Sequence, residues 1–384
     1  MRPLRLSVLI GAAAFALGAP VAVDGRELDS PWAAEAGFGL VRAAVPPGAT
    51  HAALFVGSRR VAVKTVSGGS VSFRVAGEPG PYDVRVRFER DGRLVRRDES
   101  RDVWLLRSTA QVARRERAPD GHLSSRFAAL ASRFSGYAAV WVHDLDTGRT
   151  AGWNSDAPFP AASTVKLGVL VAALRRYGPR PERSSAWPLI RDLATWSSND
   201  ANNRLLVLLG GSEAGGSRIA QETLHRMGAT ASTFTGNYRL GTSRGTRPLG
   251  DAPRPLPILT FRRTTAHDLG RILYELHAAS AGNGLALRRT GLSRHEARVG
   301  LGLLLSSTST GQNLGLVRPW VGRTIPLAQK QGWTTKIRHT AAIAYGPAGP
   351  RIIVVLTYSP NLDPGESAAL GRRVVSLVKG QWKL

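Results

Sequence analysis

From residue 33 to about 108 the apolar positions fall mostly on every second residue, the spacing of half-buried strands. Ala52–Val56 and Val61–Val66 flank a Gly57-Ser58 turn, and Ser70–Val75 and Tyr82–Phe88 alternate cleanly. Asp91-Gly92 then turns the chain into Leu94-Val95, and Asp-Gly between alternating runs is a strong hairpin signal. Several short strands in so few residues predict a small immunoglobulin-like β-sandwich over 33–108. It offers no nucleophile, acid pair or aromatic platform, so it reads as a spacer or wall-binding module. The arginine-rich stretch Arg107–Arg117 reads as the connector.

From about 119 the pattern becomes α+β. Tyr137–His143 is an apolar strand, Asp146-Thr147-Gly148 turns it, and Thr150–Asn154 returns. Helical and loop patterns fill the middle. Leu327–Gly332, Thr340–Tyr345 and Arg351–Tyr358 are three late strands, and Ser367–Lys379 is a closing amphipathic helix. Two strands early and three late predict an antiparallel sheet assembled from both ends of a second domain, residues 119–384. A chain of 384 residues has enough length for both.

The amino terminus changes the picture of where the protein works. Met1–Arg5 is basic, Leu6–Ala19 is apolar, and Ala16-Leu17-Gly18 puts small residues at cleavage-site spacing before Pro20. This is the build of a secretory signal peptide over residues 1–22, and it predicts a secreted, extracytoplasmic protein; an uncleaved anchor reaching Val23 is the rival reading. No later segment is long and apolar enough to span a bilayer, so no integral membrane span is expected in the mature chain. Cysteine is absent, which removes disulfides, thiolate nucleophiles and cysteine metal sites together. The eight histidines show no close pair at ligand spacing, so neither a metal nor another cofactor is expected. The net charge of +25 comes from 52 basic against 27 acidic residues, six of the former being lysine. Its arginines form no stripe with interleaved aromatics, which argues against nucleic acid, whereas a genomic bias towards arginine or an anionic cell-envelope polymer explains the excess as well.

Pro158-Phe-Pro160-Ala-Ala-Ser163-Thr-Val-Lys166 leads into the apolar run Leu167–Tyr177, with Gly178 as a stop. The spacing predicts Ser163 in the first helical turn and Lys166 one turn on, on the same face. A serine hydroxyl needs an adjacent base, and a buried lysine can become one, whereas arginine cannot deprotonate. Alone the pattern is weak. Ser376 and Lys379 repeat it in the closing helix, where a solvated helix end suffices. Gly241-Thr-Ser243-Arg-Gly245 spells a nucleophile elbow but lacks the strand before and helix after that an elbow requires.

Further motifs follow in order: Ser197-Ser-Asn199-Asp-Ala201-Asn-Asn203-Arg-Leu205-Leu206, then Lys330-Gln-Gly332-Trp333-Thr334 on a late strand. With Ser163-x-x-Lys166 they resemble the S-x-x-K, S-D-N and K-T/S-G series of the penicillin-recognising serine hydrolases, specifically the class A β-lactamase family. Thr264–Leu269, Thr310-Gly311 and Arg338–Ile343 add to the likeness, which covers roughly residues 120–384. The resemblance implies a β-lactamase/transpeptidase-like fold in which Ser163 is acylated and Lys166 takes its proton. It implies that Ser197 relays a proton to the departing nitrogen and that Lys330 supplies positive charge. Asn199 is implied to bind a substrate amide, and the N–H groups of Ser163 and Trp333 to form the oxyanion hole. Gly332 and Thr334 belong to the substrate-binding strand, and Arg338 or Lys336 would anchor a carboxylate. The implied partner is a small β-lactam or a peptidoglycan stem peptide.

The chain also departs from that family. No glutamate lies between Gly228 and His267; the only acid there is Asp251, and Tyr238 falls near the offset expected for the water-activating glutamate. Glu222 and Glu275 lie in helical patterns that read as solvated faces. Gln331 replaces the hydroxyl residue of the third motif, and the gap from Ser163 to Ser197 is short, which predicts a reduced helical domain. Three readings stand: a β-lactamase-like enzyme with slow deacylation, a penicillin-binding D,D-peptidase-like enzyme, and an inactive cell-wall-binding protein that keeps the fold.

Overall fold

The computed structural model describes residues 35–238, 262–307 and 314–384; the signal-like segment, the Gly241–Gly245 stretch, Asp251 and Thr310-Gly311 lie outside them. The alternating region folds into β1 (Ala36–Phe38), β2 (Leu40–Ala44), β3 (His51–Val56), β4 (Arg59–Thr65), β5 (Ser70–Arg74), β6 (Gly80–Arg90) and β7 (Arg93–Leu106). A five-stranded sheet of order β1-β7-β6-β3-β4 accompanies the β2-β5 ribbon, and the two share a core of Val41, Leu54, Phe73, Val86 and Phe88. Two packed sheets match the expected sandwich, divided five and two. Asp91 (φ 50°) and Gly92 (φ 78°) both take left-handed backbone, as a tight two-residue hairpin turn demands. β7 runs far past Leu94-Val95, because its middle is charged on the outer face. There Arg85 lies opposite Glu99 in register, and Arg97 reaches the same carboxylate at 3.0 Å. A hydrophobicity pattern does not register such a strand.

This β region does not hang free. Ala36 and Phe38 of β1 and Leu106 at the end of β7 belong to the same buried core as Trp141, Leu170 and Leu273 of the second half. Trp104 Nε1 donates to Ser306 Oγ at 2.7 Å, and Phe38 meets His277 edge-on at 5.8 Å. The connector is tied down as well: the Ala113 carbonyl accepts from Tyr274, and Glu116 pairs with His267 at 3.0 Å.

The second half begins with α1 (Gly121–Ala131), β8 (Tyr137–Asp144), β9 (Thr150–Trp153) and β10 (Phe159–Pro160). The helices α2 (Lys166–Tyr177), α3 (Trp187–Thr195), α4 (Asn199–Gly210) and α5 (Glu213–Arg226) follow. After β11 (Arg263–Thr264) come α6 (Ala266–Ser280), α7 (Gly284–Thr290), α8 (Arg294–Leu305) and α9 (Arg318–Val321). The chain closes with β12 (Leu327–Thr334), β13 (Ile337–Gly346), β14 (Gly349–Tyr358) and α10 (Pro364–Trp382). The sheet order β12-β13-β14-β8-β9 is antiparallel throughout and joins both chain ends as expected. Every residue of β14 is buried because helices cover both faces of the sheet. On one face lie Phe127 of α1 and Val374 and Val378 of α10; on the other lie Leu269 and Leu273 of α6 with the apolar side of α2. From Lys166 to Leu174 every residue of α2 is buried, so this helix is the axis on which the remaining helices pack. α4 and α5 cross closely because glycine permits it: a Cβ on Gly216 would lie 2.0 Å from the Leu206 carbonyl. That contact fixes α4, whose first residue is Asn199.

Candidate active site

Ser163 lies in the turn between β10 and α2, and the chain before it is held from two sides. His339 Nε2 donates to the Pro160 carbonyl at 2.8 Å, and the Ala161 N–H donates to the Arg262 carbonyl at 3.1 Å. Burial holds His339 down at about 4, so the ring is neutral and sits between the Pro160 carbonyl at Nε2 and the Arg338 carbonyl at Nδ1, each 2.8 Å away. Ala162 has φ +46°, a left-handed backbone unusual for a residue with a side chain. The chain then tightens through i→i+3 bonds, Lys166 N to Ser163 O and Leu167 N to Thr164 O, both 3.3 Å. The helix proper therefore begins at Lys166, and Ser163 precedes it rather than occupying its first turn as expected. The third motif reaches this turn directly: a Cβ on Gly332 would stand 3.0 Å from both Ser163 N and Ala162 Cβ. Only glycine lets the strand approach so closely.

The two motif lysines are buried, 0 % and 1 % exposed. Lys166 Nζ donates to the Ser197 carbonyl at 2.7 Å and to Asn199 Oδ1 at 2.6 Å. Lys330 Nζ donates to Ser197 Oγ at 2.6 Å and to the Gln331 carbonyl at 3.0 Å. Ser197 joins the two amines because its own backbone is left-handed (φ +60°), turning the carbonyl to one lysine and the hydroxyl to the other. Ser198 beside it caps α4 through Ala201 N. Among the described residues neither amine pairs with a carboxylate. Burial therefore dominates. It holds Lys166 well below the ordinary amine range, helped by the charges of Lys330 and Arg262, and it brings Lys330 down to about 7. A partly neutral buried amine is a competent proton acceptor near neutral pH.

The remaining candidates line the same cleft in different ways. Asn199 Oδ1 accepts from Lys166 Nζ, which leaves its amide N–H₂ for a substrate carbonyl. Among the described residues β12 is an edge strand, which leaves alternate N–H and C=O groups on its outer side without a partner strand. Trp333 lies on it, 42 % exposed, opposite Arg338 in register, and the guanidinium sits 5.5 Å from the indole centroid. Among the described residues Arg338 Nη1 is buried with no hydrogen-bond partner, a donor in want of an anion. Gln331 is buried opposite Thr340. Thr334 serves the strand turn, where its hydroxyl accepts from Lys336 N at 3.1 Å.

Several residues around the site carried little signal in the sequence. Tyr238 stood out only by its offset, yet its ring lies 4.3 Å from Lys166 Nζ and 3.8 Å from the Arg262 guanidinium. Asn203, conspicuous only as a motif letter, holds the Tyr238 backbone by two hydrogen bonds, at 2.8 and 2.6 Å. His339 was part of a family texture without a role. Glu275 was expected on a solvated face; it is 1 % exposed and pairs with Arg289 at 2.6 Å and with Arg271 at 3.3 Å, because α6 is covered on nearly every side. Glu222 is exposed, as expected. The look-alike pair Ser376 and Lys379 sits far from this chemistry, with Lys379 donating to the Trp320 carbonyl on the other face of the sheet.

Among the described residues no group of three His, Cys, Asp or Glu side chains could hold a metal ion, and no helix is long and apolar enough to cross a membrane. A search of curated proteins gives no match to the chain. Solved structures match well in fold. PBP-A is 21 % identical with a TM-score of 0.54, covering 71 % of this chain and 99 % of that one. The ancestral (GNCA) class A β-lactamase is 21 % identical with a TM-score of 0.51, covering 67 % and 99 %. A β-lactamase from Xanthomonas campestris is 19 % identical with a TM-score of 0.51, covering 67 % and 97 %. The model of the beta-lactamase enzyme family matches residues 122–179 and 176–382, more than half of the sequence, and the chain belongs to that family.

Proposed function

We propose that this chain is an exported serine hydrolase of β-lactamase type that forms an acyl-Ser163 intermediate with β-lactams and releases it slowly. The observation that carries the reading is Ser197 held between two buried amines that lack carboxylate partners among the described residues, the first of them, Lys166, one turn of chain from Ser163. In this reading Ser163 Oγ bonds to the substrate carbonyl carbon while neutral Lys166 accepts its proton, directly or through a water. The N–H groups of Ser163 and Trp333 hold the resulting oxyanion. The carbonyl C–N bond then breaks, and Ser197 passes the proton to the departing nitrogen, leaving Ser163 as an ester. Lys330 and Arg338 hold the substrate carboxylate, and the Asn199 amide holds its acyl side chain.

A second reading, a D,D-peptidase-like enzyme acting on stem peptides, is favoured by the neighbourhood of Lys166. Tyr238 lines that side of the amine, and no acid among the described residues pairs with it. The free edge of β12 suits an extended peptide, which adds to a sheet edge through its backbone. One PBP-A variant has been solved as an acyl-enzyme complex with penicillin G, and an adduct of that kind on Ser163 is what both readings require. The β region would serve as a spacer or wall-binding module, with an anionic envelope polymer as partner given the net charge of +25.

Labelled penicillin provides the test. The wild type is expected to take up label that Ser163→Ala does not; an unlabelled wild type leaves the inactive wall-binding reading in its place. Single-turnover kinetics with a chromogenic cephalosporin then separate a lasting adduct from steady hydrolysis, and rapid steady turnover would refute slow release.

A further inference from the structure

Tyr238 is built into the nucleophile turn more tightly than a core tyrosine needs to be. Its backbone is clamped at both ends by the Asn203 side chain, one turn along α4 from the Asn199 that receives Lys166. Its hydroxyl donates to the Ala162 carbonyl at 2.6 Å. Its ring is enclosed by Lys166 Nζ at 4.3 Å, the Arg262 guanidinium at 3.8 Å and the edge of Phe234 at 6.2 Å, and it is 8 % exposed. Burial pushes the phenol up to about 12 in spite of Arg262, so it stays protonated and remains a donor.

Two consequences follow from this placement. The Ala162 carbonyl and the Ser163 N–H belong to one planar trans peptide, so they point in opposite directions. Fixing the oxygen on Tyr238 aims the N–H away from the phenol, towards the side where Gly332 abuts Ser163 N. Ala162 is also the residue with φ +46°, whose conformation needs an external hold. The ring, meanwhile, occupies one whole side of the Lys166 amine. A water on that side would have to displace it.

We propose that Tyr238 is a positioning residue: its hydroxyl orients the Ala162–Ser163 peptide as an oxyanion donor, and its ring shields the acyl-serine from water beside Lys166. This rests on the acyl-serine reading above and separates the two halves of the side chain. Tyr238→Phe keeps the ring and loses the hydroxyl. It is expected to slow acylation and deacylation together, each about tenfold or more, since an oxyanion donor serves both steps. Tyr238→Ser removes the ring and admits water. The ratio of deacylation to acylation rate is then expected to rise at least about tenfold over that of Tyr238→Phe, although both variants lose the same hydrogen bond.

The experiment measures both rates with labelled penicillin and a chromogenic cephalosporin on folded, full-length protein, with circular dichroism as the check on folding. Acylation of Tyr238→Phe within twofold of wild type, or an equal rate ratio in the two variants, overturns the proposal. Competitive acetylation of Lys166 by acetic anhydride across pH reads the shielding without any turnover. Tyr238→Ser is expected to move the labelling midpoint up towards an ordinary lysine, and an unmoved midpoint overturns the shielding role. A wild type that shows no Ser163 adduct defeats the acyl-serine reading alone, because the acetylation result stands by itself.

Discussion

At the junction of the N-terminal sheet with α8, Glu35 is completely buried but has company: Arg298 at 3.6 Å and His295 at 3.9 Å, with His295 also reaching the buried Glu182 at 3.4 Å. In the candidate cleft Lys166 and Lys330 are just as buried, and among the described residues their partners are two carbonyls, an amide and a hydroxyl, all neutral. The first arrangement sets charge against charge, which offsets part of the desolvation, although burial still raises Glu35 to about 7. The second leaves desolvation unanswered, which costs stability and makes the amines titrate where a catalyst needs them. Burial alone therefore does not set the two amines apart; burial without a counter-charge among the described residues does.

Removing the cleft's unanswered charge tests the contrast most severely. Lys166→Met is expected to lower adduct formation by about a thousandfold or more while raising the melting temperature by a few degrees. Lys166→Arg should lose acylation as well, since it keeps charge but cannot accept a proton. Labelled-penicillin kinetics and thermal unfolding on the same samples check both, and acylation by the arginine variant would defeat the base role. At the junction the signs reverse. Arg298→Leu leaves Glu35 with poorer company and is expected to cost about 3 kcal/mol of stability with acylation unchanged, checked by denaturant unfolding.

The pH dependence of stability distinguishes the regions by slope. Lys330 titrates at about 7 when folded against an ordinary lysine value near 10.4 unfolded, so the native state binds fewer protons in between. Its contribution to stability rises with pH across that window. Burial works against the proton of His295, but its hydrogen bond to Glu182 and the negative charge of Glu35 beside it outweigh that and raise the ring to about 9. That contribution is full below about 6.5 and is lost as pH rises through 9. Between pH 7 and 9 the two oppose each other, and melting curves of Lys330→Met should fall more steeply with pH than those of wild type. The smallest effect belongs to pairing without burial: Arg97→Ala, which removes the exposed pair with Glu99, should stay within about 0.5 kcal/mol by the same denaturant method.

Much of this molecule was legible from its pattern. The early strands, the late strands, the Asp91-Gly92 turn and the closing helix sit where alternation, turn chemistry and helical periodicity place them. The motif residues Ser163, Lys166, Ser197, Asn199 and Lys330 converge because they occupy element ends that the sheet and α2 bring to one side. Three things escaped the pattern for physical reasons. The charged half of β7 is stabilised by cross-strand pairs, which a hydrophobic pattern does not register. The start of α2 shifted because a left-handed Ala162 and tight turns precede it, and alanine gives no local sign of positive φ. The seating of β1 in the core of the second half rests on contacts between residues far apart in the chain.

By itself the sequence determined which groups were present and in what order: a serine three residues before a lysine, an S-x-N segment, a lysine two residues ahead of a glycine, and no glutamate between Gly228 and His267. Those follow from local spacing, which backbone periodicity turns into position. Only the tertiary structure decided that both lysines are desolvated without counter-charges among the described residues, that Ser197 lies between them and that the Tyr238 ring lies beside Lys166. An amine's ionisation depends on the solvent and charges around it, and these come from segments more than 30 residues away in the chain, where no local pattern reaches.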